Sequence, residues 1–304
     1  MYTPEQEELL RRVDELAKKE GSQNKACEII GVSSGTISAV KNGTYKASPE
    51  KIFEKISSYF GVKEEAALTY KEIDYVDTHI SSQVYEIIRA CQIKGGLAIA
   101  CGDAGIGKTK AAKQFVKSNP TNSVLITVNP CITSVKALLK AIADRIGAIQ
   151  ERTINELWFA VANKLSDGMV LIFDEAQHLN IKNIEILRSL SDYFLDKEQT
   201  LGICFIGNLE AASKIGGKKA EFAQITNRTK QKKIYTVKQV ALDDIKKLFP
   251  PLENKDKELD LLLAIAQTPQ GIRGVVNLFG NAYDNNNITY AGLIAMAKHM
   301  DMQI

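Results

Sequence analysis

The chain has 304 residues, 45% hydrophobic and 25% charged, enough for about two domains with a sizeable core, and collagen-like, disordered and disulfide-scaffold classes are excluded. Thirty-nine Lys and Arg against 36 Asp and Glu leave a net charge of +3, too mild to assign a polyanionic partner unless the charges are clustered. Cys27, Cys91, Cys101, Cys131 and Cys204 are scattered with no C-x-x-C pair, and with charged first turns and no apolar run near membrane length the reading is a cytoplasmic protein with reduced thiols and no membrane partner.

Residues 1–60 read as short amphipathic helices. Pro4 to Glu20 carries Leu9, Leu10, Val13, Leu16 and Ala17 on one face, and Gly21-Ser22 supplies a stop and a fresh cap. Residues 23–43 carry helix-turn-helix spacing, with small Ala26 and Cys27 at the crossing, Gly31 as the turn residue, and Ile37 and Val40 buried on the second helix. Pro49 to Phe60 places Ile52, Phe53, Ile56, Tyr59 and Phe60 on one stripe, which Gly61 is expected to end. Residues 61–78 are polar and aperiodic, as expected of a linker or of an arm lying on a neighbour.

From residue 79 to 238 apolar runs alternate with helical patterns: LAIAC at 97–101, SVLITV at 123–128, MVLIF at 169–173, LGICFIG at 201–207 and KIYTV at 233–237. Four of the five are too apolar to alternate, so the expected fold is α/β, a five-stranded parallel sheet with helices on both faces. Helical patterns alone fill 239–304, a second all-helical unit.

The run LAIAC leads directly into Gly102-Asp103-Ala104-Gly105-Ile106-Gly107-Lys108-Thr109-Lys110. This is G-x-x-x-x-G-K-[ST] between a strand and a helix, where glycines let main-chain N–H groups curl around phosphates and the new helix adds its dipole. Lys108 is placed to reach the β and γ phosphates and the Thr109 hydroxyl to ligate Mg²⁺. MVLIFDEAQHL drives a buried strand to Asp174, a second Mg²⁺ ligand, and to Glu175, placed to polarise an attacking water. Two helix-capping acids are the plainer alternative for this pair. The run LGICFIG ends on Asn208, which either addresses the γ-phosphate or caps the following helix; both can hold at once.

These motifs resemble the AAA+ ATPases: GDAGIGKT as Walker A, VLIFDE as Walker B, Asn208 as sensor 1, and a helical lid. The resemblance implies ATP and Mg²⁺ as cofactors and assigns two arginines. Arg273, one turn into a lid helix opened by Thr268 and Pro269, would touch the nucleotide. Arg228, the only arginine between Arg188 and Arg273, would reach a neighbouring subunit's γ-phosphate; an ordinary surface charge is the alternative. A finger supplied in trans implies a self-assembled catalytic unit.

The helix-turn-helix resembles the phage-repressor and Cro type, by which analogy Gln23, Ser33, Ser34, Thr36, Ser38 and Lys41 face DNA. Residues 1–60 balance nine basic against nine acidic residues, and small hydroxyls replace the Arg, Asn or Gln of strong base readout, so weakly specific binding is expected. Between Lys214 and Lys238 eight basic residues (Lys214, Lys218, Lys219, Arg228, Lys230, Lys232, Lys233, Lys238) face Glu221 alone, as a contact for DNA or an acidic partner or as a solvated loop. Thr133, Ser134 and Lys136, on the face that lines the pore of AAA+ rings, suit phosphate contacts or simple helix capping equally.

A repressor-like domain, a linker and an AAA+ module with its lid (1–60, 61–78, 79–238, 239–304) together resemble transposition ATPases of the phage Mu B type. That resemblance implies ATP-dependent, largely sequence-blind binding of double-stranded DNA, assembly into a filament or ring, and delivery of the DNA to a transposase. The alternatives are a transcriptional regulator with an ATP switch and a helicase loader.

Overall fold

The computed structural model describes residues 2–71, 73, 75–215 and 223–302, and the chain divides into two compact units, Met1–Tyr70 and Lys71–Ile304.

In the first unit the turn chemistry sets the helices. Helix α1 (Pro4–Glu20) starts at Thr3, whose hydroxyl accepts the Gln6 N–H while the Gln6 side chain accepts the Thr3 N–H, a reciprocal cap. Ser22 caps α2 (Gln23–Ile30) and Ser33 caps α3 (Ser34–Lys41). Val13, Cys27, Ile37, Val40, Phe53 and Ile56 form the core.

The expected stop at Gly61 is not a stop. Helix α4 runs from Glu50 to Leu68, so the first half of the expected 61–78 linker is helical. One glycine costs a helix only about 1 kcal/mol, and Val62 to Leu68 are mostly good helix formers. Arg12 clamps the junction, with its guanidinium 4.1 Å from the Phe60 ring centroid and an ion pair to Glu64 at 2.7 Å.

The second unit opens with α5 (His79–Lys94), capped by Thr78, and is built on β1 (Gly96–Gly102), β2 (Ser123–Thr127), β3 (Met169–Asp174), β4 (Leu201–Gly207) and β5 (Thr229–Tyr235). The strands are parallel in the order β2-β3-β4-β1-β5. Helices α6 (Lys108–Ser118), α7 (Val135–Ile146), α8 (Ile154–Lys164) and α9 (Ile181–Leu195) connect them. After β4 come α10 (Leu209–Ile215) and α11 (Ala223–Arg228). Strands β3 and β4 are buried along their whole length, the burial that their unbroken apolar runs require.

Strand β5 lies at 229–235, not at the expected 233–237. It is an edge strand paired with β1 and largely exposed, so it reads as lysines and glutamine, which also discourage pairing with another sheet. Thr236 already opens a 3-10 turn, Val237–Gln239.

Helices α12 (Leu242–Leu248), α13 (Asp256–Ala266), α14 (Gly271–Asp284) and α15 (Tyr290–His299) form the C-terminal helical part, centred on Phe249 and Phe279 with ring centroids 4.8 Å apart. Among the described residues no helix is long and apolar enough to cross a membrane. Cys27, Cys91, Cys101 and Cys204 are buried, and Cys131 is exposed.

A buried carboxylate fastens this helical part to the sheet domain. Asp244 accepts the His79 N–H at 2.7 Å and the Ala241 N–H at 3.0 Å, so one side chain serves the first turns of α5 and α12. Asp244→Ala leaves two helix-start donors without that acceptor, and urea unfolding is expected to show a loss of about 1–3 kcal/mol.

Candidate nucleotide site

Three strand ends build the site. Because β4 lies between β1 and β3, with Cys101 opposite Gly207 and Phe173 opposite Phe205, Gly102, Asp174 and Asn208 meet at one edge of the sheet, and all three line one cavity.

The turn after β1 is possible only with glycine at its start. Gly102 has φ +150°, and a Cβ there would lie 1.9 Å from the Tyr235 carbonyl oxygen. Lys108, at the start of α6, is buried, and its ammonium donates to the Gly102 carbonyl at 3.0 Å and to that of Asp103. The Thr109 hydroxyl donates to Asp174 Oδ2 at 2.8 Å, joining the phosphate loop to β3. Of the nine expected cradle residues only Asp103 does not line the cavity. Its carboxylate instead accepts the Val237 N–H at 2.8 Å, and its N–H donates to the Tyr235 carbonyl, bracing the loop against the end of β5.

Burial holds the Lys108 ammonium below its ordinary pKa, against the pull of Cys101, Asp174, Asp103 and Glu175. Burial likewise raises Asp174, opposed by the Thr109 hydroxyl and the Glu175 N–H. Each group is therefore short of counter-charge. An anion at Lys108 and a hard cation at the Thr109–Asp174 pair would each relieve a desolvation cost, so these residues fit a phosphate chain with Mg²⁺.

Glu175 is exposed and adopts left-handed backbone angles, φ 57° and ψ 39°, unusual for a residue with a side chain. Asn208 presents its side-chain oxygen to the Ala211 N–H at 3.1 Å, capping α10 from within the cavity wall. Arg273 also lines the cavity, and its N–H donates to the Gly105 carbonyl at 3.0 Å. Gly271 permits this approach: it has φ +62°, and a Cβ would meet the Ala104 oxygen at 2.8 Å. Arg228 lies outside its own chain's cavity, half-exposed, in an ion pair with Asp192 at 2.9 Å.

Part of the cavity was not anticipated. Ile73, Val76, Leu248, Ile272 and Val276 give it an apolar wall, and Lys110 donates to the Ile73 carbonyl. The stretch expected to be a linker thus contributes to the site, and the isolated Ile73 and Val76 in polar surroundings were its only sequence signal.

The expected DNA-facing residues fall into two sets. In the first unit Gln23 donates to Ser38 Oγ at 3.0 Å and to the Ser34 carbonyl, the Ser33 and Thr36 hydroxyls are 2.7 Å apart, and Lys41 pairs with Asp14. In the second unit Thr133, Ser134 and Lys136 are exposed, with Ser134 capping α7 and the Thr133 carbonyl accepting from Asn180. Of the basic patch, Lys214 pairs with Glu210, Lys230 and Lys232 donate to main-chain carbonyls, and Lys233 donates to Gln83; Lys218, Lys219 and Glu221 lie outside the described residues.

Gly102→Ala forces a methyl into the Tyr235 carbonyl, so a loss of at least about 2 kcal/mol is expected on thermal unfolding, together with weaker nucleotide binding.

Residues 92–215 match the AAA domain family. The chain is 28% identical over 249 residues to the ATP-dependent target DNA activator B of Escherichia phage Mu, covering 80% of this chain and 77% of that protein. It is 28% identical over 266 residues to the Mu-like prophage FluMu DNA transposition protein B of Haemophilus influenzae, covering 85% and 90%. In fold it is similar to the Aeropyrum pernix ORC1 protein solved in complex with DNA, with a TM-score of 0.51 at 15% identity over 74% of this chain and 66% of that one. Residues 92–215 thus form an AAA ATPase domain, and the chain is similar over most of its length to the target DNA activator of phage Mu.

Proposed function

We propose that this chain is an ATP-dependent, largely sequence-non-specific double-stranded DNA-binding ATPase of the cytoplasm, which oligomerises on target DNA as a filament or ring and delivers it to a transposase. The observation that carries this reading is the similarity along 80% of the chain to a protein named for ATP-dependent target DNA activation, over a stretch that includes a complete phosphate-loop site.

In this reading Lys108 exchanges its two carbonyl partners for the β and γ phosphates. Thr109 and Asp174 would hold Mg²⁺, which would supply electrophilic stabilisation of the phosphate oxygens. Glu175 takes a proton from the attacking water, and Asn208 orients that water or the γ-phosphate. Ile73, Val76 and Leu248 receive the apolar face of the base. Arg273 brings the C-terminal helices onto the nucleotide, and Arg228 acts on the nucleotide of a neighbouring copy.

DNA contact is assigned to Thr133, Ser134 and Lys136 with lysines of the 214–238 patch, repeated along the assembly. What favours this over an operator-reading regulator is the state of Gln23, Ser33, Ser34, Thr36, Ser38 and Lys41. Their donors and acceptors are largely engaged with one another or with Asp14, including the Gln23 amide and the Lys41 ammonium, the two groups of the set able to grip a base edge in two places.

Anisotropy on unrelated duplexes is expected to show binding that needs ATP, rises steeply with protein concentration and hardly depends on sequence. Each neutralised phosphate should steepen the log–log salt dependence by about 0.9, and Lys108→Ala should abolish the ATP requirement's benefit. Tight ATP-independent binding to one sequence would instead make the chain a regulator. For the trans arginine, mixtures of Arg228→Ala and Lys108→Ala chains should exceed both parents in ATP turnover, because one interface then joins an intact pocket to an intact arginine. No mixture exceeding its parents would return Arg228 to an intramolecular role with Asp192.

A further inference from the structure

In DEAQHL the glutamine is two residues beyond the acid. Residues so spaced do not face each other on a regular helix, yet Gln177 meets Glu175, because the left-handed backbone at Glu175 turns the chain into the 3-10 turn Ala176–His178.

Both ends of the Gln177 amide are engaged. Its NH₂ group donates to Glu175 Oε2, and its oxygen accepts the Asn208 N–H at 3.3 Å. Only one orientation of the amide satisfies both, since a carboxylate can only accept and a main-chain N–H can only donate. The Gln177 carbonyl is fastened too, accepting from Lys214 at 2.9 Å, and Lys214 is paired with Glu210 at 2.7 Å. Gly207 leaves room for the amide, for a Cβ there would lie 2.8 Å from the Gln177 side-chain oxygen.

We propose that Gln177 is a positioning residue for ATP hydrolysis, a brace between the Glu175 carboxylate and the end of β4 that holds the general base and Asn208 in one frame. The proposal rests on the reading of Glu175 as the base that takes the water's proton. A carboxylate on an exposed, left-handed residue has freedom to swing, and misplacing a catalytic group by about 1 Å can cost about a hundredfold in rate. The brace removes that freedom without contributing a reacting atom.

The test uses the full chain and three variants, with steady-state ATP hydrolysis, ATP affinity, thermal unfolding and hydrogen exchange at the Asn208 amide as readouts. Gln177→Glu is nearly isosteric and keeps the acceptor for Asn208, but loses the donor and sets a second carboxylate against Glu175. It is expected to lower kcat by about tenfold or more, with KM, ATP affinity and unfolding temperature near wild type and Asn208 exchange unchanged. Gln177→Ala is expected to lower kcat similarly and also to speed Asn208 exchange. Glu175→Gln is the control and should lose about a hundredfold in turnover. If it does so while both Gln177 variants turn over within about twofold of wild type, the brace is refuted and the base stands. A Gln177→Glu loss carried by KM or by unfolding temperature would refute it equally, as a merely structural role. Wild-type turnover in Glu175→Gln would remove the base and the brace together.

Discussion

The site depends on one topological constraint: β4 is inserted between β1 and β3, the strands that carry the phosphate loop and the acidic pair. The ends of adjacent parallel strands are neighbours, so this order alone brings Asn208 between Gly102 and Asp174 in space, although the three are far apart in the chain. It also demands that β1, β3 and β4 be buried on both faces, and every apolar residue in those strands answers that demand. A sheet with β1 beside β3 would take Asn208 out of the cavity wall between them.

Around that edge the chain uses main-chain contacts where a side chain would be too large or too mobile. The Arg273 N–H to the Gly105 carbonyl, the Asp103 N–H to the Tyr235 carbonyl and the fit of Gly271 over Ala104 are backbone approaches. They hold the phosphate loop from two sides through the main chain of Arg273, whose side chain lines the cavity. At the helix starts a side chain serves instead, the single Asp244 carboxylate accepting the N–H groups of both His79 and Ala241.

The candidate nucleotide site was legible in the sequence because it is contiguous: G-x-x-x-x-G-K-T and VLIFDE state both the residues that line the cavity and the elements that present them. The fold class followed from unbroken apolar runs, which only doubly covered strands tolerate. The parts that were not legible are those settled by long-range contact. Ile73 and Val76 are two apolar residues in a polar stretch, and nothing local says that a cavity wall needs them. Gln177 has meaning only once β4 supplies the Asn208 N–H, and Asp244 only once α5 arrives. Strand β5 was misplaced because an edge strand is half wet, so lysines disguised its first residues and apolar Val237 extended it falsely. At Gly61 a local rule lost to the Arg12 clamp.

The distribution of thiols has a practical side. Burial pushes the Cys91 thiol up to about 12 and the Cys101 thiol up to about 11, and it raises the Cys204 and Cys27 thiols as well. Alkylating reagents attack thiolates that they can reach, and that leaves Cys131, exposed in the turn just ahead of Thr133 and Ser134. The natural chain therefore carries its own attachment point for a fluorophore or spin label, a few residues from the surface assigned to DNA, with no cysteine to remove first.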